Sequence, residues 1–329
     1  PEPQRPHKTE PLKRQQRTRN YIMRIVRRDE QRPNELAHSM AKKINVCASM
    51  DIKASQLSSK NPHHAWFERK ELRLGNLLGS GGFANVYEIQ DFVCQEQEEG
   101  DFTPEQKSTR TAMVKETQRQ KLTQGGKAPY VMKAIRPNKF ENEPELFISA
   151  GYGLAMEAHF LSTLQHPHIL SARGLCSQGC MAFSQGHDNF FIILDRLQGT
   201  LDQRIGEWSK QMAQYKKSVM ERISQPGMKD LLFSGRLKVA RDVASALAYL
   251  HTNGVVYRDI KPSNIGFDME GNVKLFDFGL ARELPSTREA DEEFRMSARV
   301  GTPRYMSPEV GFGEPYNEKA DVYSLSLVV

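Results

Sequence analysis

The stretch Val255-Val256-Tyr257-Arg258-Asp259-Ile260-Lys261-Pro262-Ser263-Asn264-Ile265 decides how this 329-residue chain is read. It follows the strongest helical pattern in the sequence, residues 236–251. There Leu237, Ala240, Val243, Ala244, Leu247 and Leu250 form one apolar face, and Asn253-Gly254 supplies a stop. After it come two short predicted strands, 265–267 and 273–276, on either side of the turn Asp268-Met269-Glu270-Gly271, and then Asp277-Phe278-Gly279. A polar loop between a buried helix and a strand thus presents Asp259, Lys261 and Asn264 close together. Asn264 and Asp277 offer hard oxygen ligands suited to Mg²⁺. Asp259 is placed to accept a proton from an attacking hydroxyl, and Lys261 to neutralise charge on a phosphoryl group.

Towards the N-terminus, Phe190-Phe191-Ile192-Ile193-Leu194 reads as a buried strand, and helical periodicity runs over 154–164 until His166-Pro167. Tyr130-Val131-Met132-Lys133-Ala134-Ile135 is a further strand with an ammonium in its middle, which is costly unless paired. A phosphate or a carboxylate would serve. Glu157 is the carboxylate candidate, because Ala155, Met156 and Leu161 mark an inward helix face; a surface salt bridge is the plainer alternative. Further upstream, Leu72 and Leu74 alternate with polar residues ahead of Leu78-Gly79-Ser80-Gly81-Gly82-Phe83-Ala84-Asn85-Val86. This reads as strand, tight loop, strand. Small residues there let backbone amides close over a polyanion while Val86 lids a flat ring, although a plain hairpin also uses such glycines. Strands precede helices, which predicts an α+β chain in two lobes.

Taken in order, these motifs resemble the eukaryotic protein kinases, from about Leu72 to the C-terminus. The glycine loop, the strand lysine Lys133, Tyr257-Arg258-Asp259 with Lys261 and Asn264, Asp277-Phe278-Gly279 and Ser307-Pro308-Glu309 all fall in family order. The resemblance implies a two-lobed fold with a small β-rich N-lobe and a larger, mostly helical C-lobe. It implies transfer of the γ-phosphoryl of Mg-ATP to protein substrates in signal transduction. Leu78, Gly79, Ser80, Gly81, Gly82, Phe83, Ala84 and Val86 would cover the nucleotide, and Asp195 and Leu197 would meet adenine at the hinge. Lys133 would hold the α- and β-phosphates and pair with Glu157. Asp259 would be the catalytic aspartate, with Asn264 and Asp277 on Mg²⁺ and Thr302 touching Asp259 and Lys261. Leu161, Tyr257 and Phe278 would stack as a regulatory spine, and Asp321 would open the helix that anchors the catalytic loop.

Lys261, and Gly301-Thr302-Pro303-Arg304-Tyr305-Met306 before Ser307, resemble serine/threonine kinases rather than tyrosine kinases. Asn264-Ile265-Gly266-Phe267-Asp268 is similar to the tyrosine-kinase-like group. Ala84 stands for the family's third glycine, Tyr257 for its histidine, Val131 for the alanine beside adenine, and Ser307 for the alanine ending the activation segment. None removes a catalytic group. The last residues, 326–329, fall inside what the resemblance makes the central C-lobe helix, so an incomplete C-lobe is expected, from a fragment or an unfinished gene model. Arg258 is expected to grip a phosphate on Ser286, Thr287 or Ser297. Glu289, Asp291, Glu292 and Glu293 would either supply part of that charge or repel it.

Charge locates the remaining question. The chain carries 46 Lys and Arg against 40 Asp and Glu, and residues 1–60 hold 14 of the former and 6 of the latter. The net charge of +6 therefore belongs to the leader, and the rest is slightly acidic. Residues 1–70 read as a basic, largely disordered leader rich at its start in Pro, Gln and Arg. Two helical stretches lie within it, one through Tyr21, Ile22, Ile25 and Val26, the other through Leu36, Met40, Ile44 and Cys47. A solvated arm is one reading; docking to an acidic partner or membrane surface is the other. There is no strong nucleic-acid signal. Polar insertions are expected near 95–127, in an N-lobe and hinge of 71–197, and near 203–230, in a C-lobe of 198–329. No apolar run approaches the ~20 residues of a membrane span. Four cysteines (Cys47, Cys94, Cys176, Cys180) predict free thiols, without zinc-ligand spacing, in a reducing intracellular compartment, cytoplasmic or nuclear. A pseudokinase scaffold and a basic-leader adaptor are the competing functions.

Overall fold

The computed structural model describes residues 33–55, 57, 64–93, 103–123, 128–136, 143–217, 227–285, 287, 289 and 291–329. Two compact units emerge. The N-lobe takes the described residues up to Leu164 together with Ser171–Arg196, and the C-lobe takes Gln165–Leu170 with Leu197–Val329.

Six strands build the N-lobe sheet: β1 (Ala65–Phe67), β2 (Leu72–Ser80), β3 (Ala84–Phe92), β4 (Tyr130–Ile135), β5 (Ala172–Cys176) and β6 (Phe191–Asp195). Their spatial order is β1-β5-β6-β4-β3-β2. Every neighbouring pair is antiparallel except β1, which runs parallel to β5 with Ala65 opposite Gly174. β4 is covered on both faces, so Val131 to Ile135 are all buried and its sequence shows no alternation. Its register sets Lys133 between Val86 of β3 and Ile192 of β6.

Three helices accompany the sheet among the described residues of the N-lobe. The helix carrying Glu157 spans Pro144–Thr163 and begins earlier than its periodicity suggests, because Pro144 sits in the first turn, where a missing N–H breaks no helical bond. It is α3 in chain order. Helix α1 (Pro33–Ala54) corrects the leader reading: the described residues of the N-lobe begin well before residue 70. Ala41, Ile44, Cys47 and Ala48 are buried along one face, against α3 and the 3₁₀ turn Gly179–Ser184. The apolar face offered for docking elsewhere is therefore used inside the lobe. The stretch through Tyr21 and Val26, like Cys94, lies outside the described residues. Helix α2 (Pro104–Thr123) occupies the expected insertion and packs on the sheet through Arg110, Met113 and Thr117. The Arg110 guanidinium meets Glu71 Oε1 at 2.5 Å and lies 4.5 Å from the centre of the Phe67 ring.

The C-lobe is built on α4 (Leu201–Lys217) and α5 (Met228–Thr252), so most of the second expected insertion is helical. β7 (Gly199–Thr200) pairs with β9 (Ile265–Phe267), and β9 with β10 (Val273–Leu275). Asp268 closes the β9–β10 turn by accepting from the Asn272 N–H at 2.7 Å, and Gly271 supplies the positive φ of 83°. β8 (Val255–Val256) pairs with β11 (Arg282–Glu283), and α6 (Pro308–Phe312) and α7 (Lys319–Val328) follow. Among the described residues no helix is long and apolar enough to cross a membrane.

Candidate active site

In the N-lobe the β2–β3 hairpin closes by a bond from the Gly81 N–H to Ala84 O at 2.8 Å. Ser80 Oγ donates to Asn85 Oδ1 at 2.9 Å, and Arg136 NH1 to Gly81 O at 3.1 Å. Neither Gly79, Gly81 nor Gly82 has a positive φ, and a Cβ at any of them would meet nothing nearer than 3.5 Å. The fold itself therefore does not require these glycines. Without side chains there, the loop backbone is open to close approach. Leu78 and Phe83 are exposed beside the loop, and Ala84 and Val86 are half-buried on β3.

Lys133 Nζ donates to both oxygens of Glu157, at 2.7 and 2.6 Å. The side chains are 11% and 3% exposed, so this ion pair has lost most of its hydration and rests on bidentate geometry. The sequence expectation of a pairing carboxylate is met. At the end of β6, the Asp195 carboxylate is taken by Arg173, whose Nε and NH2 donate at 2.9 and 2.7 Å. Only its backbone, paired with Tyr130, is left for the adenine role given by resemblance. Leu197 belongs to the C-lobe, where its Cδ1 lies 2.5 Å from where a Cβ on Gly266 would be.

The C-lobe brings Asp259, Lys261, Asn264 and Thr302 together. Asp259 Oδ2 accepts from Lys261 Nζ at 2.7 Å and Asn264 Nδ2 at 2.9 Å, while Oδ1 accepts from Thr302 Oγ1 at 2.8 Å. Lys261 also donates to Thr302 Oγ1 at 3.0 Å. The loop is shaped from beneath by fully buried Asp321. Its two oxygens accept the N–H groups of Tyr257 (2.8 Å) and Arg258 (2.7 Å), and His251 Nε2 lies at 3.0 Å. Arg258 is held at φ 72°, a conformation that costs a non-glycine residue. Gly301, at φ 102°, comes so close that a Cβ would stand 2.5 Å from Arg258 O. This contact delivers Thr302 to the loop.

Asn264 and Asp277 sit at the same end of the β9–β10 hairpin, linked through the Phe276 N–H to Asn264 O bond of 3.2 Å. The Asn264 amide nitrogen is committed to Asp259, so its oxygen is the atom left for a cation. Asp277 adds a half-buried carboxylate in the left-handed region, φ 67°. Two hard oxygens fit Mg²⁺, which keeps its other positions for water and phosphate. Of the proposed spine, Tyr257 and Phe278 meet edge to face at 5.0 Å, and Leu161 is buried within the N-lobe.

Among the regulatory candidates, Arg258 is buried and donates from Nε to Leu280 O and from NH1 to the Tyr316 hydroxyl. Burial pushes this guanidinium below its usual range. The Tyr316 hydroxyl in turn donates to Ser297 O at 3.1 Å, which places Ser297 within two hydrogen bonds of Arg258. Thr287 is exposed, and Ser286 lies outside the described residues. Tyr316 and His251 went unnoticed in the sequence, since a lone tyrosine or histidine carries no spacing that marks it.

Residues 117–329 match the family model of the protein kinase domain. A probable serine/threonine-protein kinase of Dictyostelium discoideum is 32% identical over 53% of this chain and 9% of its own length. Human mitogen-activated protein kinase kinase kinase 3 is 30% identical over 78% of the chain and 31% of its own length. In Arabidopsis thaliana, a leaf rust 10 disease-resistance locus receptor-like protein kinase-like protein (1.3) is 40% identical over 32% of the chain and 15% of its own length. The chain thus spans a third or less of these relatives. With the ion pair, the catalytic-loop contacts and the two-lobed α+β fold already in place, the match settles the affiliation: this chain belongs to the eukaryotic protein kinase superfamily, serine/threonine type.

Proposed function

We propose that the chain transfers the γ-phosphoryl group of Mg-ATP to serine or threonine hydroxyls of protein substrates. The observation that supports this most is the occupancy of the Asp259 carboxylate. Of its roughly four acceptor positions, three are filled by Lys261, Asn264 and Thr302, and one on Oδ1 is left for a substrate hydroxyl. That hydroxyl passes its proton to Asp259 as its oxygen bonds to phosphorus and the bond to the ADP oxygen breaks. Lys261 offsets the charge on the moving phosphoryl group, and Thr302 fixes both side chains. Lys133, oriented by Glu157, is the cation for the non-transferred phosphates. Asn264 and Asp277 would hold Mg²⁺, whose charge neutralises the phosphate oxygens. An intracellular setting goes with this substrate. Ser297 is the acceptor candidate that Tyr316 links to Arg258, so Ser297→Ala should lower activity.

The test compares the 329-residue protein with Lys133→Met and Asp259→Asn, using radiolabelled ATP and a general protein substrate. Label should appear on serine and threonine and fall on the order of a thousandfold in each variant. A wild-type protein that binds ATP yet transfers nothing, or variants as active as wild type, would overturn the proposal.

A further inference from the structure

Nothing in the chemistry above assigns a role to helix α1, although it is built tightly onto α3. Ile44 Cδ1 lies 2.5 Å from where a Cβ on Gly151 would stand, and Phe183 Cε2 lies 3.4 Å from that point. The Tyr152 hydroxyl donates to Asp51 Oδ2, and His159 Nε2 meets Ser55 Oγ at 3.1 Å. These contacts bracket Glu157 in the sequence of α3. At ~100° per residue, Gly151, Tyr152 and His159 fall within about 100° of one another on the helix, and Glu157 projects at least ~120° away. α1 therefore bears on the back of the helix whose front presents the partner of Lys133. The helix also needs support, because Gly151 and Gly153 lie in its interior, between one and two turns before Glu157, and interior glycines weaken a helix.

We propose that α1 is a positioning element for Glu157. Ile44 seated on Gly151 fixes where α3 sits, and so fixes the Lys133–Glu157 pair. The consequence for catalysis rests on the kinase reading; the geometric claim does not. In this arrangement a segment preceding the kinase motifs acts on the site from within the N-lobe, and release of α1 is an off state.

A volume swap across the seat tests this. Gly151→Ala is too mild, since the end of the Ile44 side chain can rotate away. Gly151→Leu cannot be absorbed in that way, and leucine favours the helix, so any loss of function does not come from helix propensity. Ile44→Ala combined with Gly151→Leu brings the total volume back to within one methylene of wild type. The readout is the rate at which an amine-reactive reagent labels Lys133 in the 329-residue protein without nucleotide, followed by peptide mass spectrometry. Hydrogen exchange over 152–163 and phosphotransfer are measured in parallel. Phe92→Leu, in the sheet beside Phe67, serves as a control for loss of N-lobe stability at a site other than the Ile44–Gly151 seat.

Gly151→Leu should raise Lys133 labelling and lower phosphotransfer by ~10-fold or more each, and the double variant should return both to within ~3-fold of wild type. The control should leave Lys133 labelling unchanged. Lys133 labelling that stays at the wild-type rate in Gly151→Leu, or that rises equally in the control, overturns the proposal. Failure of the kinase reading shows differently: wild type transfers no phosphate while the labelling pattern still holds.

Discussion

Replacing Asp321 with asparagine exchanges one oxygen for an amide group and tests whether a single carboxylate shapes the catalytic loop. Asp321 is fully buried, and its two oxygens serve two different backbone donors, the N–H groups of Arg258 at 2.7 Å and Tyr257 at 2.8 Å. An asparagine has one acceptor oxygen. Whichever way it turns, its NH₂ faces one of these donors, and that donor loses its partner in a site closed to water. A hydrogen bond to a charged group contributes about 1.5–3 kcal/mol, and a stranded buried donor costs about 1–3 kcal/mol. Both figures describe the same lost contact, so the expected cost is about 2–3 kcal/mol rather than their sum. For a unit of the C-lobe's size this lowers Tm by roughly 5–10 °C. The loss is local before it is global, because the left-handed Arg258 no longer has both restraints beneath it. Hydrogen exchange at the Tyr257 and Arg258 amides, read beside a calorimetric melt, separates the two scales. One of these amides should exchange much faster under native conditions, and phosphotransfer should fall with it. If both amides kept wild-type protection and Tm moved by less than ~1 °C, the anchoring role assigned to Asp321 would be wrong.

Gly301→Ala should cost about 2–3 kcal/mol, since its φ of 102° and a 2.5 Å approach to the Arg258 carbonyl leave no atom free to move aside; a urea titration measures it. Burial holds His159 below the usual histidine range, so the unfolded chain binds its proton first on acidification. N-lobe stability should therefore be full above pH ~6.5 and decline as pH falls below it, and His159→Gln should flatten that slope in urea midpoints. Burial also raises the Cys47 and Cys176 thiols to about 11 and Cys180 to about 12. All three should resist iodoacetamide at neutral pH in the native protein and react once it is unfolded; native labelling at the rate of a free thiol would contradict this burial.

Periodicity and local chemistry made the catalytic side legible. Lys133 stood out as an ammonium in an apolar strand, and Asp259, Lys261 and Asn264 lie so close in sequence that one loop brings them together. The β9–β10 hairpin was readable from its turn residues, and α5 from its apolar face. The supporting helices were harder. α2 buries Arg110, Met113 and Thr117, a face mostly of polar residues satisfied by Glu71, by the Trp66 carbonyl and by helix backbone, so no apolar stripe announces it. α1 buries small side chains, Ala41, Cys47 and Ala48 around Ile44, whose weak hydropathy resembles that of a solvated arm. Arg173 on Asp195 and Tyr316 on Arg258 are long-range pairings, and no spacing along the chain encodes such meetings.

The parallel pairing of β1 with β5 also has a consequence for biosynthesis. Ala65 must wait for Gly174, and Ile44 for Gly151 and Phe183, before either has a partner. At ~5–20 residues per second, a ribosome leaves that edge unpaired for roughly 5–20 s. During that interval the β1 edge lacks its strand partner and Ile44 its seat, open to chaperones or to another nascent chain. A slow codon cluster just ahead of β5 would lengthen the exposed interval without altering a single residue of the mature protein.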